Sequence, residues 1–365
     1  MTTSPAPSRP NVKCVVWDLD NTLWDGVLLE DPAVRLREDL VREIRRLDSA
    51  GILHSIASKN DPETALRKLH ALGVAEYFLY PQISWNPKSS ALRAISAALN
   101  IGLDTFAFVD DQPFELAEVA HALPQVRCVD VAEIHDALKS PEFQPRFVTE
   151  DARIRRQMYL SSARRDAEEQ AFEGTSEEFL STLGMEFTIA PARHEDLQRA
   201  EELTVRTHQL NSTGRTYSYD DLEFLRTSPD HLLLVATLRD KFGSYGTVGL
   251  CLLEKQADQW CLLLLLMSCR VMSRGVGTVM LNHVMALARA RGVWLRADFV
   301  ETDRNRQMYI TYMFAGFREI EREGQRVLLE SDLSEVQPPP PYLRLRLGGA
   351  AGEAEEPGAR REEDA

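Results

Sequence analysis

The residues of this chain whose types and spacing could do chemistry fall into two groups. In the first half, Asp18 and Asp20 stand two apart, Thr22 comes two further on, and Ser58, Lys88 and the pair Asp110-Asp111 follow in order. Taken singly, each has an ordinary explanation: Asp20-Asn21 as a turn or cap, Ser58 as a hydroxyl at a helix entry, Lys88 as a solvated charge. Together they do not, because carboxylates brought to neighbouring loops repel one another unless a cation lies between them, and a set of oxygen donors suits a hard divalent cation. In the second half the candidate is Cys269. Arg270 and Arg274 flank it, and Arg274-Gly275-Val276-Gly277 opens a helix whose N-terminus favours an anion, whether a thiolate or a phosphate. His208 and Asn211 belong to a polar cluster that reads either as cap and turn chemistry or as a base and its orienter.

The first group sits where an alternating α/β unit would place a ligand. Lys13–Trp17 is a short apolar run that breaks into Asp18, as a buried strand ending in a polar loop does. Leu36, Leu40, Ile44 and Leu47 make one helical face, closed by Gly51. Ile52–Ala57 is a second buried strand with Ser58 at its end. Asp61-Pro62-Glu63 starts the next helix as N-cap, first-turn proline and dipole-favoured acid, and Gly73 stops it. Tyr77–Tyr80 reads as a weak strand, 88–99 as a helix and Phe106–Val109 as a strand ending at Asp110-Asp111. A helix opened by Pro113 and a strand over Val126–Val131 complete the unit. This alternation implies a parallel sheet covered on both faces, with ligands beyond the carboxyl ends of its strands.

The pattern changes around Pro141–Pro145. A charged helical stretch follows, in which Arg153, Arg155, Arg156, Arg164 and Arg165 lie close together, either as a solvated linker helix or as a basic face for an acidic partner. Then come a strand (Met185–Ala190), a long helix (Glu195–Leu210), strands over Leu232–Leu238, Thr247–Leu253 and Trp260–Met267, and a helix from Val276 to Arg291. Strand Trp294–Val300, helix Asn305–Ala315 and strand Arg326–Leu329 finish the second half. The expected division is a disordered N-terminus over 1–10, an α/β domain over 11–145, a helical linker over 146–184, a mixed α/β domain over 185–335 and a Pro-rich, acidic, disordered tail over 336–365.

Composition bounds the reading. With 365 residues the chain exceeds what one core comfortably holds, and 44% hydrophobic with 27% charged residues excludes wholesale disorder. Its 42 Lys+Arg against 56 Asp+Glu, a net charge of −14, speak against nucleic-acid binding. The most apolar run, Trp260–Met267, is too short to span a membrane, no signal peptide is evident, and five scattered cysteines without metal-ligand spacing suit a cytoplasmic protein.

Asp18-Leu19-Asp20-Asn21-Thr22, Ser58, Lys88 and Asp110-Asp111, in that order after their strands, resemble the four motifs of the haloacid dehalogenase (HAD) superfamily. The second half resembles the Gcn5-related N-acetyltransferase (GNAT) fold, with Gly275 and Gly277 at its phosphate-binding turn; Met272 stands where the usual loop has a basic or amide residue. Longer phrases over about residues 11–332, among them VKCVVWDLDNTLWDGVLLED (12–31), SIASKND (55–61), FAFVDDQPFE (106–115), LTVRTHQLNSTG (203–214) and LLMSCRVMSRGVGTVMLNH (265–283), resemble the FkbH-like proteins of polyketide biosynthesis.

That resemblance implies a HAD-like doubly wound parallel sheet followed by a GNAT-like mixed α/β domain. It implies Mg²⁺ held by Asp18, Asp20 (through its carbonyl) and the acidic pair Asp110 and Asp111, with Asp18 as nucleophile and Asp20 as general acid/base. Lys88 would offset charge, and Thr22 and Ser58 would hold phosphoryl oxygens. The substrate would be 1,3-bisphosphoglycerate. Its D-glyceryl group would be loaded through Cys269 as a thioester on an acyl carrier protein (ACP), with His208, Asn211, Arg270, Arg274, Gly275 and Gly277 lining the acyl site. The arginines of 153–165, with Arg270 and Arg274, would receive the acidic carrier. Two other readings stand beside it: a Mg²⁺-dependent phosphatase whose GNAT-like half only binds or orients, and a carrier-docking scaffold without catalysis.

Overall fold

The structure, a computed structural model, describes residues 10–31, 33–207 and 209–348. Residues 1–9 of the expected disordered N-terminus, His208, and residues 349–365 of the expected tail lie outside the described residues. The chain divides into two compact units, Met1–Arg165 and Asp166–Ala365.

The first unit is built on a five-stranded parallel sheet in the order Gln82–Ile83, Leu53–Ser58, Cys14–Trp17, Phe106–Asp110, Arg127–Asp130. Alternate side chains of the central strand go to opposite faces, Val15 and Trp17 into one core and Cys14 and Val16 into the other. A strand buried on both sides has no polar face to show, which is why its sequence is a continuous apolar run. Helix Glu38–Ser49 covers the first face with Leu40, Val41, Ile44 and Leu47. Helix Lys88–Leu99 covers the second with Leu92, Ile95 and Leu99, helped by Val119 of helix Pro113–Ala122. The sheet is thus doubly wound. Asp61 caps helix Pro62–Ala71 by accepting from the Thr64 amide at 2.9 Å. The expected strand at Tyr77–Tyr80 is instead a 3₁₀ turn, Ala75–Tyr77, and a single parallel bridge from Phe78 to His54; the left-handed backbone of Tyr80 (φ 48°) interrupts extension, and the edge strand begins only at Gln82.

The second unit is a mixed eight-stranded sheet in the order Phe317–Glu323, Arg326–Ser331, Trp294–Val300, Gln259–Met267, Gly243–Lys255, His231–Asp240, Met185–Pro191, Leu343–Leu347. Two pairs are parallel, Gln259–Met267 with Trp294–Val300 and Leu343–Leu347 with Met185–Pro191; the others are antiparallel. Helix Val276–Arg291 packs on one face, and helices Leu197–Arg206 and Tyr219–Thr227 on the other.

Three expectations are corrected here. The helix expected over Glu195–Leu210 stops at Arg206, because the chain beyond it hydrogen-bonds to the sheet. Residues 336–348 are not disordered: Leu343 is buried in the core and its strand extends the sheet. The expected linker is helical (Glu150–Arg153, Arg155–Ala171, Ser176–Thr182), but Phe179, Leu180 and Leu183 already belong to the core of the second unit.

Candidate active site

In the first unit the strand order decides which loops meet. Cys14–Trp17 lies between Leu53–Ser58 and Phe106–Asp110, so the loops leaving these three strands converge at one end of the sheet. Asp18 follows the central strand and its amide donates to the Val109 carbonyl at 2.9 Å, which ties the loop to its neighbour. One carboxylate oxygen each from Asp18, Asp110 and Asp111 lie within 4.8 Å of one another. Lys88, at the start of its helix, reaches between two of them, with Nζ 2.6 Å from Asp18 Oδ1 and 2.5 Å from Asp110 Oδ2. Asp18, Lys88 and Asp110 are all buried.

Burial pushes the Asp18 carboxyl up to about 6 and the Asp110 charge adds to this, while Lys88 pulls the other way. Burial also acts against the Lys88 ammonium, but the two flanking carboxylates hold it above the ordinary lysine value. Asp111 is raised by partial burial and by Asp110 beside it. Three carboxylates against one ammonium leave a negative surplus in a partly desolvated place, the condition that a hard cation with oxygen ligands relieves. The donor set therefore fits Mg²⁺, which Asp18, Asp110 and Asp111 would hold through side-chain oxygens.

The Asp20 carboxylate lies outside that cluster. Its Oδ1 accepts from the Trp24 indole at 2.8 Å and from the Leu28 amide at 3.0 Å, and its Oδ2 from Asn60 Nδ2 at 2.9 Å. Three donors fix its position. Asn21, next in the chain, takes a left-handed conformation (φ 52°) and its amide donates to the Gly26 carbonyl at 3.1 Å, which closes a turn in the loop. Thr22 is buried and its hydroxyl donates to Asp111 Oδ1 at 3.4 Å. Ser58 is buried at the end of its strand. Three apolar side chains are exposed: Leu29 on the loop after Asp20, Trp85 on the loop before Lys88, and Phe114 in the first turn of helix Pro113–Ala122.

In the second unit, Cys269 is half-buried and opens a 3₁₀ turn, Cys269–Val271, directly after strand Gln259–Met267 and Ser268. Three of the other cysteines are poor thiolates: burial drives Cys14 and Cys251 far above the ordinary thiol range and Cys261 up to about 11. Gly275 caps helix Val276–Arg291 in a left-handed conformation (φ 72°), and Gly277 packs under Met267. The Tyr342 hydroxyl stands 2.9 Å from where a Cβ on Gly275 would be, so the segment expected to be disordered folds against the anion-favouring turn.

Strands Gln259–Met267 and Trp294–Val300 pair only from Gln259/Trp294 to Leu262/Ala297. Further along, the backbone of 210–212 bonds to both: Met267 N to Leu210 O at 2.8 Å, Ser212 N to Leu265 O at 3.0 Å and Val300 N to Ser212 O at 3.0 Å. Buried Asn305 secures this insert by donating to Asn211 O at 3.1 Å and Val300 O at 2.8 Å. The Asn211 amide is used on its own turn, accepting from Thr213 N and Gly214 N at 3.1 and 2.9 Å and donating to Arg215 O at 3.3 Å.

The basic face expected for a carrier is corrected. Arg155, Arg156 and Arg165 are buried. Arg155 donates to the Gly51 carbonyl at 2.9 Å, and Arg156 to Asp48 at 3.0 Å and to the Glu76 carbonyl at 2.8 Å, so they staple the helix to the first unit rather than face solvent. Arg274 is buried too, 3.1 Å from Glu169 Oε2, and its guanidinium is committed within the protein. Exposed Arg153 pairs with Glu150, which leaves Arg164 and half-buried Arg270 as the remaining accessible members. Residues that motif reading passes over are Asn60, Lys59 and Glu115 in the first unit and Ser212 and Asn305 in the second. Their types are ordinary, and only the fold brings them to the sites.

No family model and no curated protein matches this chain. Among solved structures, the N-terminal part of BF1531 from Bacteroides fragilis, containing a phosphatase domain and complexed with Mg, is 27% identical over 35% of this chain and 39% of its own, with a TM-score of 0.32. The ribosomal-protein-S18-alanine N-acetyltransferase of Escherichia coli is 15% identical over 41% of this chain and 96% of its own, with a TM-score of 0.33. The PaiA N-acetyltransferase of Thermoplasma acidophilum, in complex with coenzyme A, is 17% identical over 40% and 98%, with a TM-score of 0.33.

Proposed function

We propose that this chain is a phosphatase joined to an acyltransferase: it dephosphorylates 1,3-bisphosphoglycerate and loads the glyceryl group as a thioester on an acyl carrier protein. The observation that carries the reading is the buried Asp18–Lys88–Asp110 group with Asp111 beside it, at the carboxyl ends of parallel strands. Asp18 would attack phosphorus to form an aspartyl-phosphate while Asp20 protonates the leaving oxygen; Asp20 would then take a proton from the water that releases phosphate. Bound Mg²⁺ would neutralise charge on the phosphoryl oxygens. Lys88 keeps Asp18 and Asp110 from repelling each other, and Thr22 and Ser58 offer hydroxyls near the same loops. Cys269 would displace phosphate from the acyl phosphate and carry the acyl group to the carrier thiol, a step that needs no ATP because the acyl phosphate is already activated.

The test is intact-mass analysis after mixing the protein with Mg²⁺, 1,3-bisphosphoglycerate and ACP: a carrier heavier by one glyceryl unit is expected, with phosphate released. Absence of any adduct on Cys269 or the carrier removes the acyl-transfer half. One observation favours a phosphatase whose second unit does not catalyse: the insert 210–212 occupies the hydrogen-bonding edges between two strands. On that reading Cys269→Ala leaves products unchanged; on ours it abolishes the adduct.

A further inference from the structure

One ion pair at the strand ends of the first unit has no part in the chemistry above. Lys59 follows strand Leu53–Ser58, and Glu115 lies in the first turn of helix Pro113–Ala122, after strand Phe106–Asp110. Their bond, 2.6 Å from Nζ to Oε1, spans two loops whose strands lie on either side of Cys14–Trp17, so it crosses the end of the sheet from which Asp18 emerges. The adjacent Asn60 makes the shorter crossing to Asp20.

The two partners are unlike. The Glu115 side chain is 5% exposed and that of Lys59 is 36% exposed. Burying a carboxylate is costly without a cation, and Glu115 has only one oxygen engaged: Oε2 is buried with no partner among the described residues. Asn60 Oδ1 is likewise buried and without a partner. An ammonium has three donors, and the bond to Glu115 uses one, leaving two on the exposed side. Lys88, by contrast, is buried between Asp18 and Asp110. A substrate bringing a second negative group to these acidic loops would find Lys88 occupied and Lys59 accessible.

We propose that Lys59, held in place by Glu115, selects phosphate esters that carry a second anionic group, a carboxylate or acyl phosphate, beyond the phosphate removed at Asp18. Lys59 binds that group; Glu115 is a positioning residue acting through Lys59. The inference rests on the phosphatase reading and narrows its substrate class.

The experiment compares 3-phosphoglycerate with glycerol 3-phosphate, which present the same phosphate ester and differ in a carboxylate against a neutral carbinol. Phosphate release by the full chain with Mg²⁺ gives kcat and KM for each. The wild type should favour the carboxylate. Lys59→Met should lower the ratio of the two kcat/KM values about tenfold through KM, the scale of one charge-assisted contact. Lys59→Arg should restore part of it, and Glu115→Gln should lower it in the same direction. A structural role would reduce both substrates alike and leave the ratio within twofold, and that result overturns the proposal even if the variants are less stable. A wild type with no preference overturns it too, while one that hydrolyses neither ester overturns the phosphatase reading with it.

Discussion

Replacing His54 should remove a large acid-side instability from the first unit. The ring is fully buried in the second strand. Trp17 Nε1, which can only donate, lies 3.0 Å from His54 Nδ1, so Nδ1 must be the acceptor. The other nitrogen, Nε2, then carries the proton and donates to the Ile44 carbonyl at 3.1 Å. Protonating the ring would turn the acceptor into a second donor facing the indole. Burial, the positive charge of Arg156 adding to it, lowers the folded pKa to about 3 from 6.5, against the pull of the Ile44 carbonyl.

The sign follows from linkage. Below pH 6.5 the unfolded chain takes up a proton that the folded one refuses, so stability falls as pH drops and levels off near pH 3. Well below pH 6.5 each pH unit in that window costs about 1.4 kcal/mol, so acidification from about pH 7.5 to 4.5 costs about 2.7 kcal/mol from this group alone. The assay is denaturant unfolding at several pH values, with hydrogen exchange of peptides covering residues 10–31 and 50–60 to report the first unit. His54→Gln will be less stable at pH 7.5, but its loss on acidification should be smaller by about that 2.7 kcal/mol. Other titrating groups are common to both proteins and cancel. Equal slopes for the two would refute the neutral, buried imidazole and the bond to Trp17 on which the argument stands.

Arg156→Glu should destabilise the first unit by about 3 kcal/mol or more, because it puts a carboxylate against Asp48 and Glu76, and thermal unfolding measures it; a docking residue would lower carrier loading with no change in melting. Asn305→Leu should cost about 2–4 kcal/mol by leaving the Asn211 and Val300 carbonyls unpaired, and hydrogen exchange should rise at Ser212 and Val300 ahead of the rest of the sheet. Removing residues from 336 onward should lower the melting temperature of the second unit, since Leu343 leaves its core and the Gln337 amide its bond to Asn282; an unchanged melting curve would contradict the docked tail.

The first site was legible because its residues are tied to strand ends. Asp18, Ser58 and Asp110 each terminate a short apolar run, and a parallel sheet brings such ends together whatever the loops contain. What could not be read is the pairing across loops. Lys59 meets Glu115, and Asn60 meets Asp20, only because the strand order places Cys14–Trp17 between its neighbours, and nothing in SKND states that order. The arginines of 153–165 misled for a related reason. Helix Arg155–Ala171 has little apolar periodicity, so it reads as solvated, yet Arg155 and Arg156 reach a backbone carbonyl and an acid of the first unit that only the fold supplies. Strand Phe317–Glu323 escapes reading because six of its seven residues are exposed at a sheet edge, where charge replaces alternation. The run LRLRL at 343–347 does alternate, but it follows four prolines and precedes an acidic tract, and that composition hides it.

The arrangement around Cys269 bears on how an acyl group could be carried there. A long amide-containing arm lying between strands Gln259–Met267 and Trp294–Val300 would need the backbone groups of Leu265, Met267 and Val300, and residues 210–212 already hold these. Such an arm would have to displace an insert that Asn305 secures with two further bonds. Met267 N is the last group bonded to the insert, Ser268 N goes to Val248 O at 2.7 Å, and Cys269 is the first residue beyond both. Cys269, half-buried, opens the turn that follows. Any transfer from an arm bound between these strands would therefore carry the cost of breaking those bonds. The same geometry makes the accessible neighbour Arg270, rather than buried Arg274, the cation to test for anion binding there.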